Sequence, residues 1–194
     1  ADVLRSIPGL HVTYDRSYSY LGIRGFGLAG DYNSRFLLLV DGHRLNDNVY
    51  ESALIGNEFP IDVDLIDKVE FIRGPSSSLY GSNAFFGVVN VITRRGKDLN
   101  GVEVSGSAGS FGTYQGRLSA GKLFQNGIEA MASATAFTSE GQTLYFKEFD
   151  DPATRNGYTS GTDGEDAYKL FSKIAYKGLA LEAFYGYREK GNPT

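Results

Sequence analysis

The sequence predicts two unlike parts: a small α+β unit, a mixed sheet with short helices, over residues 1–96, then about five antiparallel β-strands of a truncated transmembrane barrel over residues 97–194. Three observations carry this. Residues 68–95, KVEFIRGPSSSLYGSNAFFGVVNVITRR, set two β-branched and aromatic runs, 69–72 and 88–92, either side of a Gly/Pro/Ser/Asn-rich connection, which reads as strand, turn, strand. Beyond Gly96 the pattern changes to sustained period-two alternation. The composition, with 25 Gly, 13 Tyr and 13 Phe against 5 Pro and a single Met, suits glycine-bent strands and aromatic belts better than a helical enzyme.

Each element follows in order. Val3, Leu4 and Ile7 fall at helical spacing and Pro8-Gly9 ends the run, so residues 1–7 are expected to be the last two turns of a helix. Residues 10–14 alternate as a short strand, 15–19 form a polar loop with tyrosine, and 20–26 return as a second strand. After the turn GLAGDYNS at 27–34, the apolar FLLLV at 36–40 is a buried strand, closed by Asp41-Gly42. Were strands 20–26 and 35–41 antiparallel neighbours, the loops at 15–19 and 43–58 would share one end of the unit. Pro60 is expected to open a short helix, with Ile61, Val63, Leu65 and Ile66 among Asp62, Asp64 and Asp67. Within 68–95, Pro75 and three serines prepare one helical turn ending near Tyr80, and Gly81 supplies the positive φ that stops it.

In the second part, Val102, Val104 and Ala108 share a face against Glu103, Ser105 and Ser107, and Tyr114, Leu118 and Ala120 oppose Gln115, Arg117 and Ser119. Alanines alternate with Glu129, Ser133 and Thr135 in the third strand. Tyr168, Leu170, Ile174 and Tyr176 alternate with Lys169 and Lys173, and Leu179, Leu181, Ala183, Tyr185 and Tyr187 face away from Glu182 and Arg188. Short turns near 122–127 and 176–178 alternate with connections at 109–113 and a long one at 139–166, as the two rims of a membrane barrel do. A soluble sandwich shares the strand pattern, but tyrosines near strand ends favour lipid outside and water inside. Because a membrane sheet leaves no edge unpaired and the smallest bacterial barrels have about 8 strands, this chain is expected to be a fragment whose exposed strand edges invite self-association.

Composition excludes several classes. The longest apolar runs fall far short of the roughly 20 residues a spanning helix needs. A net charge of −4 without like-charge runs gives no footprint for nucleic acid. With no cysteine there are no disulfides, thiolate metal sites or thiol nucleophile. The start within a helical pattern, ADVLRSIPG, and the lack of a visible signal peptide lead us to expect more chain upstream.

VEFIRGPSSSLYGSNAFFGVVNVITRR resembles the signature that ends the plug domain of TonB-dependent outer-membrane receptors. Three further segments resemble the family in its own order: DVLRSIPGLHVT its early helix and strand, YLGIRGF its Ile-Arg-Gly strand, and FLLLVDGHRLND its Leu-Val-Asp-Gly-x-Arg-Leu-Asn segment. FPIDVDLIDKVEFIRGP is similar to the helix that leads to Arg-Gly-Pro. The resemblance implies a plug seated in the lumen of a barrel in the outer membrane of a Gram-negative bacterium, in contact with membrane lipid. It implies import of a scarce nutrient, a ferric siderophore, cobalamin or haem, when the TonB energy-coupling protein pulls a segment upstream of this chain. It implies no enzyme activity and no cofactor.

By the same resemblance Arg24 and Arg73 match two plug arginines that face barrel-wall glutamates, a pairing strong in geometry yet breakable under load. Each could instead tie the plug's own loops together. Ligand contacts are expected from the apical loops, at Tyr18, Tyr20, Asn48, Tyr50 and Glu51, where aromatic and polar side chains together suit a large chelate or corrin. Gly25, Gly27 and Gly30 fit the dinucleotide pattern, but no helix follows them. Asp41 with His43, the aspartates at 62, 64 and 67, and the acids of the long loop (Asp150, Asp151, Asp163, Glu165, Asp166) are weighed as metal ligands and assigned to turns and solvated surface. With His11 and His43 the only histidines, a hydrolase has little material. The rival to energised import is a structural or adhesive outer-membrane barrel whose plug-like unit gates nothing.

Overall fold

The computed structural model describes residues 2–27 and 29–193; Ala1, Leu28 and Thr194, which fall in the expected first helix, the 27–34 turn and the end of the chain, lie outside the described residues. The chain divides into two compact units, residues 1–94 and 95–194, and each is described by itself.

The first unit opens with a single helical turn, α1 (Asp2–Arg5), rather than two. Pro8 has no N–H to continue it, and Gly9 reverses the chain at φ 85. β1 (Leu10–Tyr14) and β2 (Ser19–Ile23) then form a hairpin with Leu10 opposite Ile23, a two-stranded sheet of its own. The second strand was expected to reach Phe26 and stops at Ile23. Arg24 and Gly25 both take positive φ, 50 and 83, the pattern of a type I′ two-residue loop, and Ile23 and Phe26 exchange their amide hydrogen bonds across it.

β3 (Phe36–Val40), β4 (His43–Arg44), β5 (Ile66–Arg73) and β6 (Gly87–Thr93) make a mixed sheet in the order β4-β3-β6-β5, with β3 and β6 parallel and the other pairs antiparallel. All five residues of β3 are buried, which requires cover on both faces of the sheet. Leu37 and Leu39 cluster on one face with Ala84 and Val88. Asp41 and Gly42 form a second positive-φ loop, and the Asp41 carboxylate accepts from the Thr93 amide (3.0 Å) and hydroxyl (2.5 Å), so this aspartate fastens the end of β6.

Two expectations need correction here. No helix starts at Pro60; a single 3-10 turn at Val63–Leu65 is capped by Asp62, which accepts from the Asp64 amide at 3.0 Å, and Ile66 is already extended as the first residue of β5. The expected helix is cut to this one turn because the backbone is extended both at its cap, Asp62 (ψ 141), and at Ile66 (ψ 124). Nor are the second and third strands neighbours, since β2 pairs with β1 and β3 lies in the other sheet. Between β5 and β6, α2 (Ser77–Tyr80) is the one helical turn expected, ended by Gly81 at φ 80.

The second unit begins with a turn the sequence did not announce, α3 (Gly96–Leu99), stapled by the Asp98 carboxylate accepting from the Arg95 amide at 3.0 Å. A Cβ on Gly96 would lie 2.2 Å from the Ala130 carbonyl oxygen, so only glycine permits this seat. β7 (Gly101–Gly109), β8 (Thr113–Leu123) and β9 (Glu129–Ser139) follow. A small hairpin, β10 (Leu144–Tyr145) with β11 (Tyr158–Thr159), sits in the long connection, and β12 (Glu165–Tyr176) and β13 (Leu179–Lys190) complete the chain's strands. The order β7-β8-β9-β12-β13 is an antiparallel meander. Lys177 and Gly178 make the tightest of its turns.

This sheet is inside out by the standard of a water-soluble one. Val102, Val104, Leu118, Leu170, Ile174, Leu179, Leu181 and Tyr185 are exposed, Val102 and Leu181 each at 71 %. The opposite face carries the charges, paired across strands: Arg117 with Glu103, Lys173 with Glu182 (2.9 Å), Arg188 with Glu165 (2.7 Å). A face of leucines left open while ion pairs are sheltered is stable where the surroundings of the open face are apolar. Tyr114, Tyr168 and Tyr187 lie at one level near the long connection and Tyr176 at the other end; from Tyr168 to Tyr176 is about 26 Å along the strand at ~3.3 Å per residue, close to the height of a barrel's apolar band. No helix among the described residues is long and apolar enough to cross a membrane. Strands of 9 to 12 residues have the length to do so.

We therefore expect Leu170→Arg to lower stability in a lipid bilayer by about 2–4 kcal/mol, read as a shift in the urea-unfolding midpoint, and Gln115→Arg on the charged face to cost under about 1 kcal/mol. An equal cost at both positions would contradict the assignment of faces.

Candidate functional site

Three loops of the first unit are built alike. Asp15 accepts from the amides of Ser17 (2.9 Å) and Tyr18 (2.7 Å), Asp31 from that of Asn33 (2.9 Å), and Asp47 from those of Val49 (2.9 Å), Tyr50 (2.7 Å) and Ser52 (2.7 Å). Each is an aspartate turn, in which a short carboxylate satisfies amides that no strand reaches. Each holds a tyrosine, Tyr18, Tyr32 or Tyr50, in a fixed backbone.

Asn33 joins the three. Its side chain is buried, accepts from the Leu21 amide (2.6 Å), and donates through one nitrogen to the carbonyls of Ser19 and Ala53, both at 2.9 Å. The Ala53 amide donates to Tyr32 at 3.0 Å. The loops at 15–19 and 43–58 thus meet at this amide, although the strand pairing that suggested it is absent. A second buried asparagine, Asn46, accepts from the Leu38 amide (2.8 Å) and donates to Phe36 (3.0 Å) and Glu51 (2.9 Å) carbonyls, fixing the third loop to β3.

The expected ligand residues divide by exposure. Tyr18 (36 %) packs edge to face on Tyr32 (42 %) with ring centroids 5.2 Å apart, while Asn48 is exposed and Tyr50 is open at 78 %. Tyr20 is only 4 % exposed and donates its hydroxyl to Asp15 at 2.7 Å, so it supports the loops from beneath. Glu51 bridges the loop to its neighbours: one carboxylate oxygen lies 3.6 Å from Arg44 and the other accepts from Asn83 at 2.7 Å. Tyr32 and Asn33 were not singled out from the sequence. Both sit at positive φ, 50 and 59, a conformation Asn tolerates and a tyrosine adopts only where its surroundings hold it.

Two of these carboxylates, Asp15 and Asp47, are held in their charged form. Asp47 is brought down to about 2 by the Tyr50 amide, against the opposing effect of burial, with Ser52 and Val49 adding to the fall. For Asp15, burial raises the pKa but is outweighed by the Tyr18 amide, the Tyr20 hydroxyl and the Ser17 amide, so it too lies below its ordinary value. Burial and the hydrogen bond to Asp15 push Tyr20 up, and it stays protonated.

Arg24 occupies the β2 turn and Arg73 ends β5; both are exposed, and among the described residues neither guanidinium pairs with an acid of the chain. The acids of the long loop are spent separately: Asp150 accepts from Tyr145, Asp151 from the Ala153 amide, Asp163 from Lys190, and Glu165 from Arg188. Among the described residues no group of three could hold a metal ion.

Two outcomes are expected. Asn33→Gly keeps the backbone free at φ 59 and removes the side-chain bonds, costing about 2–3 kcal/mol in chemical denaturation of the first unit; Asn33→Ala costs about 1 kcal/mol more, because alanine resists positive φ. Asp47, with its folded value depressed from 3.8 to about 2, contributes stability that is complete above about pH 4 and lost as pH falls through about 2. Between pH 4 and 2 the native chain should lose more stability than Asp47→Asn does, while from pH 5 to 8 the difference between them stays constant.

Comparison with known proteins agrees with this architecture. The family model for the TonB-dependent receptor plug domain matches residues 1–88. The vitamin B12 transporter BtuB of Vibrio vulnificus is 32 % identical over 191 residues, covering 95 % of this chain and 29 % of its own length, so the chain spans less than a third of that relative. Among solved structures, the ferric yersiniabactin uptake receptor FyuA of Yersinia pestis aligns over 89 % of this chain and 25 % of its own, at 23 % identity and a TM-score of 0.58. The FrpB iron transporter of Neisseria meningitidis aligns over 95 % and 29 %, at 15 % identity and a TM-score of 0.64. These two share the fold. Residues 1–88 belong to the plug-domain family of TonB-dependent receptors, and the antiparallel strands that follow share the fold of such receptors.

Proposed function

We propose that the protein of which this chain is part imports a scarce nutrient across the outer membrane of a Gram-negative bacterium, with residues 1–96 as the gating plug and residues 97–194 as the opening strands of the barrel. The observation that carries this reading is a plug-family unit followed, in one chain, by a sheet whose apolar face is open and whose charges are sheltered. The cargo proposed is a ferric siderophore or a cobalamin- or haem-type molecule; among the relatives, one is a vitamin B12 transporter and one a ferric yersiniabactin uptake receptor.

In this reading Tyr18, Tyr32, Asn48 and Tyr50 meet the ligand, with Tyr20 and Glu51 holding the loops that present them. The rings offer apolar faces, and their hydroxyls with the Asn48 amide offer hydrogen bonds, which together suit a large chelate or corrin. Arg24 and Arg73, unpaired among the plug's own described acids, are assigned to carboxylates of the barrel wall. The TonB energy-coupling protein acts through a segment outside this chain. Several separate guanidinium–carboxylate contacts hold a plug firmly yet yield one by one under force.

Uptake by cells carrying the complete receptor, offered cobalamin, haem and ferric siderophores in turn, tests the reading. One cargo should accumulate only when the coupling protein is present; cargo binding or cell adhesion indifferent to coupling, with no uptake, would establish the structural alternative. The double variant Arg24→Ala/Arg73→Ala should leave ligand affinity within about twofold and raise leakage of small hydrophilic solutes severalfold, since it loosens the plug without touching the tyrosine loops.

A further inference from the structure

We infer that the plug loops disfavour a polyanionic chelate; this rests on the import reading above and narrows its cargo. The loops 15–20, 29–34 and 47–53 carry four carboxylates, Asp15, Asp31, Asp47 and Glu51, against one guanidinium, Arg16. Nearby cations do not redress this. Arg44 is engaged by Glu51, and Arg35 lies over the Phe86 ring, 5.7 Å from its centroid.

The three aspartates are fixed in place by the amides they accept from. Each is the acceptor that shapes its own loop, so protonating one would cost the turn that presents its tyrosine. The negative charge is therefore a fixed property of the platform on which Tyr18 and Tyr32 stand. Their rings add the same preference: an aromatic face carries negative potential and attracts C–H edges, amide N–H groups or cations, and repels anionic oxygens. A ligand bound here presents rings, alkyl surface and neutral amides to the plug. A trianionic chelate meets the carboxylates of Asp15, Asp31 and Asp47, with Glu51 engaged by Arg44 and Arg16 the single guanidinium these loops carry.

Equilibrium binding to the complete receptor, with three probes, decides this: cyanocobalamin and a ferric trihydroxamate, both neutral, and a ferric tris-catecholate of charge 3−. At least one neutral probe should bind, and the tris-catecholate should bind about tenfold or more weakly by comparison, the size of screened repulsion over about 10 Å. Raising the salt should narrow the gap. So should Asp31→Asn, which keeps the acceptor oxygen for the Asn33 amide and removes one charge. Tris-catecholate binding as tight as that of the neutral probes, together with coupling-dependent uptake, overturns the inference and leaves the import reading standing. Failure of all three probes to bind, with no coupling-dependent uptake, overturns both.

Discussion

The first unit depends on one buried carboxamide. Asn33 satisfies a β2 amide and carbonyl and the carbonyl of Ala53, and through them joins a two-stranded hairpin to a four-stranded sheet that shares no ladder hydrogen bond with it. A buried side chain with these three contacts is costly to disturb, because each lost bond leaves a backbone group without water. The joint lies directly beneath the tyrosines. The same contact that completes the fold therefore fixes the spacing of Tyr18, Tyr32 and Tyr50.

The second unit obeys the opposite solvent rule. Its ion pairs are sheltered and its leucines and tyrosines are open, which costs free energy in water and gains it in lipid. One chain thus contains a unit that buries FLLLV in the ordinary way and a sheet whose open face carries Val, Leu, Ile, Ala and Tyr.

Much of this was legible in the sequence, and the parts that were not share a cause. β1, β3 and the five long strands follow from period and β-branched content, and the turn at Gly81 from local chemistry. The end of β2 was missed because Arg24 adopts positive φ, which no side-chain pattern announces, and the helix expected at Pro60 shrank to one 3-10 turn because the chain is extended on either side of it. Asn33 was passed over inside GLAGDYNS because its acceptors lie 14 and 20 residues away. Tyr20 and Glu51 were grouped with the exposed loop residues for a related reason: β2 is buried on both faces, so alternation does not say which tyrosine faces out, and the Glu51 contact with Asn83 spans 32 residues.

The measurement that tests the account most directly is native-state hydrogen exchange on the complete receptor with Asn33→Gly. If one clasp holds three loops, protection falls together at the amides of Leu21, Tyr18 and Tyr50, although only the first of these donates to Asn33. Loss confined to Leu21, with Tyr18 and Tyr50 protected as before, would mean that the loops are independent and that the tyrosines do not form one platform.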